Sequence, residues 1–189
     1  PQLNLMGMSL TPQIGFDNGP PLSLYLDKAA ALSQQLQVMT GVDLFGPARA
    51  ALSRAAGGRA VGTPAGPDGR PYTAATVRRL PPECAIPVHV GRAFLPTGGY
   101  DHLRPLINAE VQLSWFVTLQ TPAGGGGELV VHDLEFGDPS TPWADEGIVA
   151  ADEITDLPSV RFRPEAGDLL VFDGGRYFHH VSPVGGDRN

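Results

Sequence analysis

The stretch "GDLLVFDGGRYFHHVSPVGGDR", residues 167–188, is the part of the sequence that most clearly indicates the fold class. It consists of short apolar runs, rich in β-branched and aromatic residues, that are bounded by Gly, Pro and Asp, a pattern typical of strands and tight turns. Earlier runs share this pattern: "YTAATVRRL", "AIPVHV", "VQLSWFVTLQ", "GELVVHDLEF" and "SVRFRP". We therefore predict a β core over residues 73–189.

The region before this core has a different pattern. Residues 21–54 are rich in Ala, Leu and Gln, with apolar residues near helical spacing, and "GPARAALSRAAGG" predicts a second, short helix that glycines terminate. Residues 55–71 are dense in Gly and Pro and predict a mobile surface loop. Helices followed by many short strands predict a helical layer on a β-sandwich or jelly roll, the double-stranded β-helix. We expect one catalytic domain over residues 1–189.

Composition and charge limit the possible function classes. A chain of 189 residues suits a single domain with a substantial core. The single cysteine, Cys84, cannot form an intramolecular disulfide, which favours a reducing, cytoplasmic location. The net charge of −7 disfavours a surface for nucleic acid polymers or anionic membranes. The apolar runs are too short to span a bilayer, so we expect no membrane association.

Two of the five histidines are candidate metal ligands. His89 closes the "AIPVHV" run and His179 lies within "GRYFHHVSPV". Imidazole nitrogen suits iron, and a typical non-haem iron site has two histidines and one carboxylate, with open positions. The residue two places after His89 is Gly91, where such a carboxylate would be expected. Either this is no metal site, or another ligand fills that position.

The C-terminal stretch resembles the signature of the 2-oxoglutarate-dependent, non-haem iron oxygenases. The matching residues are Gly167, Asp168, Phe172, His179, Val181, Pro183, Val184 and Arg188. The resemblance implies that His89 and His179 bind Fe(II), that O2 is the oxidant, and that Arg188 pairs with the distal carboxylate of 2-oxoglutarate. A guanidinium suits that role because it binds a carboxylate in a bidentate manner. His180 falls on the variable position of the signature.

Within this superfamily, the sequence is most similar to the carrier-independent halogenases, such as those that chlorinate indole alkaloids. His-x-Gly in place of His-x-Asp marks these enzymes, and "LSWFVTLQ", "GGGGELVV" and "FDGGRYFHHV" are similar to their strands and turns. The resemblance implies that chloride or bromide takes the position beside Gly91. It also implies that Ser114 steers the oxidising group away from the substrate radical, and that "GGGGELVV" begins the second strand of a hairpin. A small inward-facing polar residue is an equally good explanation of Ser114.

Two other functions remain open. A hydroxylase or other oxidase of the same fold would take its third ligand from another acid or from water, and Asp101, Asp133 and Glu135 are the candidate acids. The segment "HDLEF" also offers a pair of His132 and Glu135, which we expect to be structural. The second alternative is a non-catalytic jelly roll that binds a small molecule. The substrate is expected to be a free small molecule in natural product biosynthesis, an alkaloid, amino acid or nucleotide, with no carrier protein. The arginines that permit an acidic substrate are Arg70, Arg78, Arg79 and Arg92.

Overall fold

The computed structural model describes residues 4–11, 17–108, 111–141 and 146–186. In these residues the chain forms two α-helices, followed by all but one of its short β-strands. The helices are α1 (Leu22–Thr40) and α2 (Phe45–Ala55). The prediction of a mainly β chain with helices near its N-terminus is confirmed.

The strands form three small sheets. They are β1 (Asn4–Met6), β2 (Val77–Arg79), β3 (Ile86–His89), β4 (Ser114–Val117), β5 (Leu129–Glu135), β6 (Ile148–Val149), β7 (Ser159–Phe162), β8 (Leu169–Phe172) and β9 (Tyr177–Val181). One sheet has the order β6-β3-β9-β5-β7, a second pairs β4 with β8, and a third pairs β1 with β2. The first two are antiparallel throughout. This arrangement is compatible with a β-sandwich or jelly roll.

The chain divides into two compact units. The β unit comprises the described residues of Pro1–Asn4, Arg79–Pro96 and Asn108–Asn189, and the helical unit those of Leu5–Arg78 and Thr97–Ile107. The five-stranded sheet and the β4–β8 sheet both lie in the β unit, which therefore contains the histidines of the predicted metal site. That the whole chain acts as one catalytic domain stays a prediction.

The β unit is built around a cluster of buried apolar side chains. Its members are Val88, Val90, Leu134, Val149, Ile154 and Phe178. On β9, Phe178 is fully buried in this core. Because successive side chains of a strand point to opposite faces, His179 faces away from the core that anchors Phe178. Packing of Phe178 on one face of the sheet thus determines that the His179 side chain points to the other face.

The helical unit depends on one apolar stripe. The buried residues of α1 are Tyr25, Leu26, Ala29, Leu32 and Leu36, and their spacing of three and four places them on one helix face. The helix ends where Gly41 adopts a left-handed conformation and its N–H donates to the carbonyl of Gln37 at 2.9 Å. Tyr72 and Leu10 complete the core of this unit.

The glycine-rich segment before β5 is not the turn of a hairpin, and that expectation was wrong. β4 pairs with β8, whereas β5 pairs with β7 and β9. The segment therefore connects strands of different sheets, with Gly125, Gly126 and Gly127 all in the left-handed region. Glycine supplies such conformations equally well in a hairpin and in a sheet-to-sheet connection. Local composition consequently identified the turn but could not identify the pairing.

Two further expectations concern Cys84 and membrane association. Cys84 is buried and its thiol is free of any disulfide. Among the described residues, neither helix combines the length and apolarity needed to cross a bilayer.

Candidate functional site

The pairing of β3 with β9 brings His89 and His179 together. The two residues are direct cross-strand partners, with an irregularity in the pairing between Ile86 and His89. Their imidazole centroids lie 4.3 Å apart, with the rings inclined at 51°. Two histidines that are distant in sequence therefore form one adjacent pair, as the metal-site hypothesis requires.

Backbone hydrogen bonds orient both imidazoles in the same way. The Nδ1 atom of His89 lies 2.8 Å from the carbonyl oxygen of Pro87, and that of His179 lies 3.0 Å from the carbonyl oxygen of Tyr177. Because a carbonyl oxygen only accepts, each Nδ1 carries the proton. In the neutral ring this leaves the lone pair on Nε2, which is the tautomer that a metal ligand with an Nδ1–H partner adopts.

The environment of His179 favours the neutral ring. Burial, and then the neighbouring charge of His89, lower the pKa of His179 to about 4. The ring is therefore uncharged near pH 7, the state in which imidazole binds a metal. The edge-on contact with Phe172, whose ring centroid lies 4.8 Å away, completes the apolar surroundings.

Gly91 lies two residues after the end of β3, at the start of a short 3-10 turn, Gly91–Phe94. Its N–H donates to the carbonyl of Gly174 at 2.8 Å. Its φ is outside the left-handed region, so backbone conformation alone does not require glycine here. A β-carbon at this position would, however, lie 2.5 Å from Nε2 of Gln112. A close neighbour therefore explains the absence of a side chain.

Ser114 lies on the side of the β4–β8 sheet that faces the histidine pair. It is the cross-strand partner of Phe172, whose ring contacts His179. Its hydroxyl packs against Gly174, leaving no room for a side chain there. Since the carbonyl of Gly174 also accepts the hydrogen bond from Gly91, both Ser114 and Gly91 contact Gly174. The structure thus brings Ser114 into the group.

The side chain of His180 points away from the pair formed by His89 and His179. It is the cross-strand partner of Val130, on the face opposite His179, and its Nδ1 lies 2.9 Å from Nε2 of His132. These two rings are stacked at 5.1 Å. Burial, and then the charges of His180 and Arg161, lower the pKa of His132 to about 4. The pair forms a polar contact within the sheet.

Of the three acidic residues considered as alternative third ligands, two form ion pairs and one is exposed. Glu135 forms an ion pair with Arg176 at 2.6 Å, and Asp101 forms one with Arg104. Asp133 is exposed. Within the part of the chain that the structure describes, no three His, Cys, Asp or Glu side chains form a cluster that could hold a metal ion.

Two of the arginines for which the sequence predicted a ligand-binding role are Arg188 and Arg70. Arg188, assigned to 2-oxoglutarate, lies outside the described residues. Arg70, one of the cations considered for an acidic substrate, forms ion pairs with Asp27 and Asp68. Its charge is therefore already balanced by two carboxylates.

Sequence reasoning missed Gln112. Its side chain packs against Gly91, and its Oε1 atom is buried without a hydrogen-bond partner among the described residues. The sequence did contain a signal, because Gln112 lies two positions before Ser114 and period-two alternation places such residues on one face. The group at this site consequently has five parts: the two histidines, Gly91, Ser114 and Gln112.

Comparison with known families identifies one family model over most of the chain. The family model described as "Carrier-protein-independent halogenase WelO5" matches residues 12–189. No curated protein matches the chain.

The histidine pair generates a prediction about metal affinity. Replacing His89 or His179 by Ala removes one of two imidazole ligands, so Fe(II) affinity should fall by more than about a hundredfold. Equilibrium binding under anaerobic conditions, with Co(II) as an air-stable second probe, measures this. His180→Ala is the matched control and should bind nearly as tightly as the parent. Lost binding in the His180 variant, with binding retained in the His179 variant, would contradict the assignment.

The buried neutral histidines generate a prediction about pH. His132 and His179 titrate near pH 4 in the folded chain and at about 6.5 when unfolded. At pH values between these two pKa values, the protein therefore takes up protons when it unfolds. The free energy of unfolding of the metal-free protein should consequently fall as the pH drops from 6.5 towards 4. Each group contributes at most about 1.4 kcal/mol per pH unit. Urea unfolding at several pH values should show a shallower dependence for His132→Gln, and an unchanged slope would contradict a buried neutral His132.

Proposed function

This chain belongs to the carrier-protein-independent halogenase family, and we propose that it is a 2-oxoglutarate- and Fe(II)-dependent halogenase. In this proposal it chlorinates an unactivated aliphatic carbon of a free small molecule by a radical mechanism that uses O2. The observation that carries the proposal is the pairing of His89 with His179 beside Gly91. Two imidazoles with their Nδ1 protons engaged by backbone carbonyls are accompanied by a position that has no side chain.

The residues present fit a bound iron ion. His89 and His179 would hold it through Nε2, because the Nδ1 atoms are used by backbone carbonyls. Iron, when bound, supplies the coupling of O2 reduction to the oxidative decarboxylation of 2-oxoglutarate, which yields succinate and carbon dioxide. Arg188 would bind the distal carboxylate of the co-substrate by a charge-assisted, bidentate pair.

The chain's own contribution to halogenation is to leave one ligand position open. Gly91 has no carboxylate, so a chloride or bromide ion can take the place that an aspartate would occupy. Asp101 and Glu135 are each engaged in an ion pair with an arginine, which supports this choice over a hydroxylase that uses one of these carboxylates as a ligand. Ser114, which contacts Gly174 as Gly91 does, would orient the reacting groups so that the substrate radical receives halogen.

The remaining parts of the proposal concern fold, substrate and location. We infer a jelly roll formed by the five-stranded and β4–β8 sheets, with both histidines on its inner side. The substrate is a free small molecule, an alkaloid, amino acid or nucleotide, and no carrier protein takes part. The cytoplasm is the proposed location, because a buried free Cys84 suits a reducing compartment.

The function is tested by chloride-dependent product formation and by Gly91→Asp. With iron, 2-oxoglutarate, O2 and a panel of substrates, the parent should give a product whose mass and isotope pattern show chlorine. An aspartate at position 91 would be a tethered competitor with a high effective concentration, so chlorination should fall below detection. Mass spectrometry of the products measures this.

The control for that experiment is Gly91→Ala. Alanine adds bulk without a ligand, and the atom it meets is the end of the flexible Gln112 side chain. Some chlorination should therefore survive in Gly91→Ala. Robust halogenation by Gly91→Asp would contradict an open ligand position at this residue.

Ser114 gives a separate prediction about the partition between products. Ser114→Ala removes only the hydroxyl, so 2-oxoglutarate consumption should continue while the hydroxylated share of product rises several-fold. A cost of about 1 kcal/mol in the orienting hydrogen bond corresponds to roughly a fivefold change in the ratio. An unchanged ratio would show that Ser114 only packs against Gly174.

A further inference from the structure

We propose that Gln112 is a halide-binding residue, whose carboxamide keeps the position beside Gly91 clear of other side chains and donates an N–H to the bound anion. This inference rests on the proposed function, which places a halide there. It adds a specific residue of this chain to the halide site, one that lies neither on a histidine strand nor in the C-terminal signature.

The first line of support is packing. A β-carbon on Gly91 would lie 2.5 Å from Nε2, 3.0 Å from Cδ and 3.2 Å from Oε1 of Gln112. The carboxamide therefore borders the position of the first atom of any side chain at residue 91. The absence of a side chain at Gly91 thus allows the long side chain of Gln112 to approach the backbone at this point.

The backbone of Gln112 is fixed at this place by the turn between β8 and β9. Its carbonyl accepts the N–H of Gly175 at 3.0 Å. A β-carbon on Gly175 would lie 2.7 Å from Cβ and 2.8 Å from the carbonyl oxygen of Gln112. Glycine at 175 thus permits the close approach of the two segments, and the approach positions the carboxamide.

The second line of support is chemical. A carboxamide is neutral and has two N–H donors, whereas a carboxylate of the same shape would repel an anion. Nε2 is the atom closest to the start of the missing side chain, so an anion at that position meets a donor. The buried Oε1 has no hydrogen-bond partner among the described residues, so turning the carboxamide towards a ligand breaks no hydrogen bond at that atom.

Chloride binding to the resting complex tests the donor role without turnover. The Fe(II) protein with 2-oxoglutarate is titrated anaerobically with chloride, and the metal-to-ligand charge-transfer absorption is followed. Hydrogen bonds to charged groups are among the stronger ones, so Gln112→Ala should weaken chloride binding by about ten- to a hundredfold. Gln112→Glu should retain iron and lose the chloride response. Gln120→Ala, an exposed glutamine in the same segment, should behave as the parent.

Parent-like chloride affinity in both Gln112 variants would overturn the inference and leave the proposed function intact. A parent protein that binds iron and 2-oxoglutarate but shows no response to chloride would overturn the proposed function, and this inference with it.

The packing role is tested on metal-free protein, where the proposed function has no influence. Gly91→Ala should lower the melting temperature in the parent background, and by a smaller amount in the Gln112→Ala background, because the clash partner is then absent. Thermal unfolding of the four proteins of this double-mutant cycle measures the coupling. Equal decreases in melting temperature in both backgrounds would overturn the packing role. Gln120→Ala serves as the control background, in which Gly91→Ala should lower the melting temperature as much as in the parent.

Discussion

The antiparallel pairing of β3 with β9 is the interaction on which the site depends. It sets His89 opposite His179, and the alternation of side chains along β9 turns His179 away from the core that holds Phe178. A shift of one residue in the pairing register would exchange the faces of these side chains. Burial of Phe178 and the orientation of the face that carries His179 are therefore two consequences of one register.

Glycine provides the second constraint. Gly91, Gly174 and Gly175 each lie where a β-carbon would meet Gln112 or Ser114. Their absent side chains let three segments approach closely: the end of β3, the turn before β9 and the start of β4. At position 91 the residue that permits this packing also has no carboxylate. In the proposed function a halide takes the place of that carboxylate.

The sequence identified residues of the candidate site from local patterns, and the structure brings these residues into one group. The C-terminal signature identified His179, the His-x-Gly spacing identified His89 and Gly91, and the similarity of "LSWFVTLQ" to a halogenase strand identified Ser114; their chemical roles stay predictions. Periodicity also identified the helices, since α1 has a single apolar stripe. The strand pairing after the glycine-rich segment was wrong, because which strand pairs with which depends on contacts distant in sequence.

Gln112 was missed for a related reason. Its significance comes from a contact with Gly91 on another segment. From the sequence alone, the only signal was that Gln112 lies two residues before Ser114 and would therefore point to the same face of an extended segment. Arg188, by contrast, was assigned entirely from the signature, and it lies outside the described residues. Its pairing with 2-oxoglutarate stays a prediction.

The measurement that most directly tests a halide in place of a carboxylate is bromine-edge anomalous scattering from crystals of the iron- and 2-oxoglutarate-loaded protein, grown anaerobically in bromide. We predict one strong bromide peak beside the iron, next to Gly91 and within hydrogen-bond reach of the Gln112 carboxamide. An Asp or Glu oxygen bound to the iron, with no bromide in that position, would contradict the halogenase site.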